Sequence, residues 1–268
     1  MNKIRDWELI MNKKVGFVSS VIVASLLSAC GGVRPDVEES DNFIDIGGIE
    51  FRKKGSTNAA ILYAGVRREG WVDTFDPKFL PVLSKEIRAR QVTRVFNKET
   101  GRLAFESAAS AGINLSNDSN SATAAVQSNV TGKYSVFTLF DVNDFVAELN
   151  SDANKKNLAL LKRYEDPRII TSIATVFDRE SSKKFGALGR LSLNITNPAT
   201  GNPVFNLKSE VSGDSVATLS NGTVFAYEYA RLCWEKVNDK VRVATIEVDR
   251  PGLDGNCPAG TKETAADL

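Results

Sequence analysis

Residues 223–234, TVFAYEYARLCW, hold no Gly, Pro, Asn or Asp and only two charged side chains, Glu228 and Arg231. A period of two places Phe225, Tyr227 and Tyr229 on one face and Val224, Ala226 and Leu232 on the other. A strand apolar on both faces belongs inside a sheet, covered on both sides. Around it the same period recurs. Leu191, Leu193 and Ile195 alternate with Ser192, Asn194 and Thr196, and Val241 and Val243 flank Arg242, as half-buried antiparallel strands do. Nearer the start, Ile44 and Ile46 are followed by Ile49 and Phe51 across Gly47-Gly48, a turn or bulge, and residues 60–66 read as a further strand.

Helical spacing interrupts the strands. Asp141 to Asn150 (DVNDFVAELN) opens on a residue suited to the N-cap and puts Val142, Phe145, Val146 and Leu149 on one face. Asp152 to Glu165 continues with Leu158 and Leu161 until Asp166-Pro167 stops it. Asp76 to Arg90 contains Pro77 and Pro81, so a helix there begins near Pro81. The expected fold class is therefore α+β, a mostly antiparallel sheet with two or three helices.

Two stretches also run in parallel. Phe75-Asp76 is followed by Phe79 and Leu83, then by VFNKET (95–100) and GRLAF (101–105); Phe140-Asp141 is followed by Phe145 and Leu149, then by VFDRES (176–181) and GRLSL (189–193). Two tandem βαββ modules, 43–132 and 133–268 with the C-terminal strands in the second, would produce this order. Convergent turn chemistry would produce it too, since Asn, Asp, Ser and Thr are ordinary turn residues. Residues 107–132 lie between the two sets, rich in Ser and Thr and without Lys or Arg. They read as a solvated loop or long hairpin, with pairing to a partner's strand as the alternative. Asn117 to Ser121 imitates the start of a calcium loop but lacks its Gly and terminal Glu.

The chain opens with a leader. Lys13 and Lys14 precede Val15 to Leu27, a run without charge that is short for a membrane span of about 20 residues. Met11 heads the basic segment, so translation starts at Met1 or at Met11. The run closes on Leu27-Ser28-Ala29-Cys30, which resembles the lipobox of bacterial lipoproteins. That resemblance implies cleavage after residue 29 and a signal peptide over 1–29. It further implies diacylglycerol on the Cys30 sulfur and a fatty acyl chain such as palmitate on its amino group. With Gly31 in place of Asp after the cysteine, it implies residence at the outer membrane. Multiple acyl chains hold stably, each buried methylene contributing about 0.8 kcal/mol. Residues 30–42 are then expected to be a lipidated tether, whose polar part with Gly and Pro, Gly31 to Asp41, spans about 18 Å as a flexible coil.

Composition narrows the function classes. With 34 Lys and Arg against 33 Asp and Glu, the net charge of +1 gives no basic field for nucleic acid. The absence of histidine removes Ser-His-Asp and Cys-His catalysis and His-ligated metals; carboxylate-pair and Ser-Lys chemistry survive, although Ser182-Lys183 lies in a charged turn and no Ser-x-x-Lys motif has a suitable setting. Cys233 and Cys257, an even pair in an exported chain, read as a disulfide rather than a metal site, for which further ligands are missing. No cofactor motif is present.

Arg67, Arg68 and Trp71 cluster in RREGW (67–71), residue types enriched where proteins bind partners. The same Trp71 could instead cover the core beneath a loop. Taken together, these features lead us to expect a lipid-anchored, non-catalytic, protein-binding component of the envelope, in surface assembly, secretion or adhesion. A periplasmic carboxylate enzyme acting on envelope polymers, or a carbohydrate-binding module using Trp71, are the alternatives.

Overall fold

The computed structural model describes residues 37–39, 43–46, 49–56, 61–68, 74–95, 133–177, 181, 184–185, 190–219, 222–248 and 256–268. In chain order its strands begin with β1 (Val37–Glu39), β2 (Phe43–Ile46), β3 (Ile49–Ser56), β4 (Ala64–Arg68), β5 (Thr74–Phe79), β6 (Ile87–Val95) and β7 (Lys133–Leu139). Helices α1 (Val142–Leu149) and α2 (Lys155–Leu161) follow, joined by a short 3-10 turn. The remaining strands are β8 (Pro167–Phe177), β9 (Leu191–Thr196), β10 (Val204–Ser209), β11 (Ser215–Thr218), β12 (Gly222–Val237) and β13 (Lys240–Val248). All of these strands join one sheet, and every pairing is antiparallel.

At its centre β12 pairs with β8 from Gly222↔Phe177 to Arg231↔Arg168. Both strands are buried along this ladder apart from Arg231, as a strand covered on both faces must be. Each then shares its other edge between two neighbours. On β12, β3 takes Val224 to Tyr227 and β13 takes Ala230 to Val237; on β8, β7 takes Ser172 to Thr175 and β4 takes Pro167 to Ile169. The sheet therefore forks on both sides of one ladder. From β7 the path continues through β6, β9 and β10 to β11.

Register irregularities redraw the faces expected for residues 223–234. Phe225 is the extra residue between Val224↔Thr175 and Ala226↔Ala174, and such a bulge breaks the period of two. Phe225 consequently packs on Tyr134 at 5.3 Å between ring centroids, while Tyr227 and Tyr229 both meet Phe75, at 6.1 and 5.8 Å. Gly65 makes room for that stack. A Cβ at this position would collide with the Phe75 ring and the Asp76 carbonyl.

The turn or bulge expected at Gly47-Gly48 separates β2 from β3, which pair antiparallel with Ile46 opposite Ile49, and residues 37–39, expected as part of the tether, instead form β1 and pair with β2 from Val37↔Ile46 to Glu39↔Ile44. The strand expected over 60–66 begins later, at Ala64, because Ile61 and Leu62 form a turn. Both helices lie near their expected positions, and Phe145, Val146, Leu149, Leu158 and Leu161 are buried. Asp141 does precede α1, and its carbonyl accepts the Phe145 N–H at 2.9 Å. Its carboxylate makes no capping bond and instead grips Arg88, taking Nε and Nη2 each at 3.0 Å.

The helix expected from Pro81 is absent. Proline pushes the residue before it into extended backbone, so Leu80 does not start a helix, and residues 80–86 run irregularly between β5 and β6. Side chains supply the hydrogen bonds a helix would have made. Buried Asn154 accepts the Val82 N–H on Oδ1 at 2.8 Å and donates Nδ2 to the Val82 carbonyl at 2.7 Å. Asn197 donates to the carbonyls of Leu80 and Pro81, and Glu148 accepts the Ser84 N–H and hydroxyl at 2.5 and 2.6 Å. Asn150 does the same for β13, accepting the Val243 N–H at 3.0 Å and donating to its carbonyl at 2.8 Å. After Lys133 the chain runs strand, two helices and strand, and then, in place of the charged turn expected before β9, Ser181, Lys184 and Phe185 are helical. The stretch after Phe75 lacks its helix, so the two stretches do not share one order of elements.

An unmade buried hydrogen bond costs about 1 to 3 kcal/mol, and Asn154→Leu strands both polar groups of Val82. We expect this variant to lose about 2 kcal/mol or more, lowering Tm by roughly 4 °C or more. A melting midpoint unchanged within about 1 °C would show that the clamp carries no stability.

Candidate binding site

The start of β8 lies where four pieces of chain meet, and the residues there are charged. Gly65 on β4 faces Arg168 on β8, which faces Arg231 on β12. Like charges directly opposite on neighbouring strands repel. Two carboxylates compensate: Asp166 pairs with Arg168, and Glu263 pairs with Arg231. Arg168 is only 2 % exposed and also donates to the Pro167 carbonyl at 3.2 Å, so its guanidinium is fixed in place.

Around this row opens a depression of about 740 Å³. Arg67 enters from β4, its N–H bonded to the Asp166 carbonyl at 3.0 Å. Exposed Arg163, half-buried Tyr164 and exposed Glu165 come from the turn between α2 and β8. The rim thus holds four guanidinium groups against the carboxylates of Glu165, Asp166 and Glu263. Guanidinium keeps its proton and has a fork of donors matched to carboxylate and phosphate. Groups of this kind can bind and orient oxyanions.

One wall depends on the C-terminal tail. Beyond Arg231↔Arg168 the β8 side of β12 pairs with no further strand among the described residues, and Lys262 lies there, exchanging backbone hydrogen bonds with Trp234 at 2.7 and 2.8 Å. Cys233 and Cys257 are joined by a disulfide, their Cα atoms 5.4 Å apart. This covalent tie and the adjacent bridge hold Glu263 over Arg231.

Of the residues singled out in the sequence, Arg67 lines the depression, Arg68 lies at the end of β4, and Cys233 and Cys257 are bonded to each other. Trp71, Cys30 and residues 107–132 lie outside the described residues. Sequence reading passed over Arg163, Arg168, Arg231 and Glu263. A signal was there for two of them, because Arg168 and Arg231 interrupt otherwise apolar strands, and a charge buried in a sheet requires a specific partner. Comparison with protein-family models, with curated proteins and with solved structures finds no match to this chain.

The chain-entropy model assigns a disulfide closing a loop of this size about 3 kcal/mol. We expect Cys233→Ser/Cys257→Ser to lose stability of that order and to expose the Trp234 and Lys262 amides to hydrogen exchange ahead of the sheet. Stoichiometric alkylation of Cys257 in unreduced, folded protein would contradict the bridge.

Proposed function

We propose that this chain is a lipid-anchored envelope protein that binds another protein without transforming it, as a component of surface assembly, secretion or adhesion. Cys30 carries the acyl chains at the outer membrane, and the polar residues between Cys30 and β1 let the folded part stand away from the lipid. The partner contributes carboxylates, from an acidic loop or strand end, to the depression at the start of β8.

The cross-strand pair Arg168 and Arg231 carries this reading. A repulsive arrangement held in place by dedicated carboxylates is costly for folding alone, whereas an anionic partner gains from it. Arg and Tyr are also the residue types that dominate binding energy at interfaces. The lipobox supports the anchor independently of the depression.

Fractionation and mild-detergent extraction test both halves. The wild-type protein should sediment with membranes and bring its partner with it, in a complex that weakens as salt rises. Cys30→Ser should lose acyl labelling and leave the membrane fraction. Arg67→Glu/Arg163→Glu should stay in the membrane and retain the partner about tenfold less. Membrane-bound, unlabelled Cys30→Ser would overturn the anchor, and salt-resistant capture unchanged in the double variant would overturn the site.

A further inference from the structure

The second charged surface has a different character. On β6, β9 and β10 the register sets Ala89 opposite Leu193 and Leu193 opposite Leu207, all fully buried, so this face packs on the core. The alternate positions face outward: Arg88 with Asn194, and Arg90 with Ser192 and Lys208. They form the floor and walls of a groove of about 410 Å³, at the lower end of the size range of small-molecule sites. Ser192 and Asn194, only 8 % and 5 % exposed, lie at its floor.

Its charges are internally balanced. Asp141 accepts the Arg88 backbone N–H and two hydrogen bonds from its guanidinium, and the latter, with the carboxylate's charge, raise the Arg88 pKa further; Glu86 holds Lys208 at 2.9 Å; Glu210 stands 3.7 Å from Arg90. Three cations face three carboxylates, so the groove presents little net field to draw an ion. Hydrogen-bonding capacity nonetheless remains. The Arg90 guanidinium makes no hydrogen bond among the described residues, since its nearest carboxylate oxygen lies at 3.7 Å. Lys208 donates once, to Glu86, and each Glu86 oxygen accepts one bond, from Lys208 or from Asn194 at 2.7 Å. Donors and acceptors are therefore open side by side.

Beside them stands an aromatic ring. Phe140 is 45 % exposed, its N–H bonded to the Arg88 carbonyl at 2.9 Å, and two guanidinium groups lie over its ring, that of Arg90 at 3.5 Å from the centroid and that of Arg88 at 5.6 Å. That stack orients both groups before any ligand arrives. The exposed part of the ring offers an apolar aromatic surface to C–H groups.

Hydroxyls that donate and accept, no net charge, and an apolar C–H face describe a pyranose sugar. We infer that the groove on β6, β9 and β10 is a binding site for a short stretch of neutral oligosaccharide, lying on Phe140 and hydrogen-bonded by Arg90, Lys208 and Glu86. This site is separate from the arginine depression and stands whether or not the depression binds a protein.

The test uses mature lipidated protein in a detergent without a sugar headgroup, titrated calorimetrically with maltotetraose, cellotetraose and chitotetraose, and with a sulfated oligosaccharide as charged control. At least one neutral sugar should bind saturably, with an affinity that changes less than twofold between low and high salt. Phe140→Ala should weaken it about tenfold, Lys208→Ala should weaken it severalfold, and Phe140→Tyr should preserve it. Circular dichroism confirms that each variant is folded, and Lys208→Ala and Phe140→Tyr touch no core packing. Absence of binding by all three neutral sugars, binding indifferent to both Phe140→Ala and Lys208→Ala, or binding of the sulfated control alone would overturn the inference.

Discussion

The ladder between β8 and β12 is the constraint on which the rest of the sheet depends. PRIITSIATVF and the first half of β12 are buried on both faces, and their backbone groups are satisfied chiefly by strand pairing. Because each strand divides its outer edge between two neighbours, four further strands take their register from this ladder. The bulge at Phe225 lets the ladder keep its hydrogen bonds while the side chains change face. Tyr227 and Tyr229 thereby come under Phe75.

The ladder also creates the arginine depression. Pairing with β8 stops at Arg231↔Arg168, where two arginines stand opposite each other and each takes its own carboxylate, Glu263 or Asp166. The vacant edge beyond is taken by the tail, held by the disulfide and by Lys262 on Trp234. Local charge is thus decided by topology. Glu263 reaches Arg231 because the covalent tie at Cys233, two residues further along β12, holds the tail nearby.

Period and composition carried much of this into view. TVFAYEYARLCW reads as a central strand because burial on both faces demands apolar residues on both, and DVNDFVAELN reads as a helix because its apolar positions share one face. The disulfide is expected because Cys233 and Cys257 form an even pair once Cys30 is set aside as the lipid site. What escaped reading is long-range. The clamp on residues 80–84 relies on Asn154, Asn197 and Glu148, far away in sequence, and nothing local to Pro81 announces them. The depression escaped for the same reason, since Arg67, Arg168 and Arg231 meet only through strand pairing. Of the RREGW cluster, Arg67 alone can be placed at a site, because Trp71 lies outside the described residues.

Native-state hydrogen exchange measures the central ladder most directly. If β8 and β12 hold the sheet, the amides of Ile169 to Thr175 and Val224 to Ala230 exchange only through global unfolding, with the free energy and denaturant dependence of the whole domain. Amides of β11 and of residues 256–268 open earlier. Exchange of the β8 and β12 amides through a smaller opening, while β6, β9 and β10 remain protected, would contradict the account.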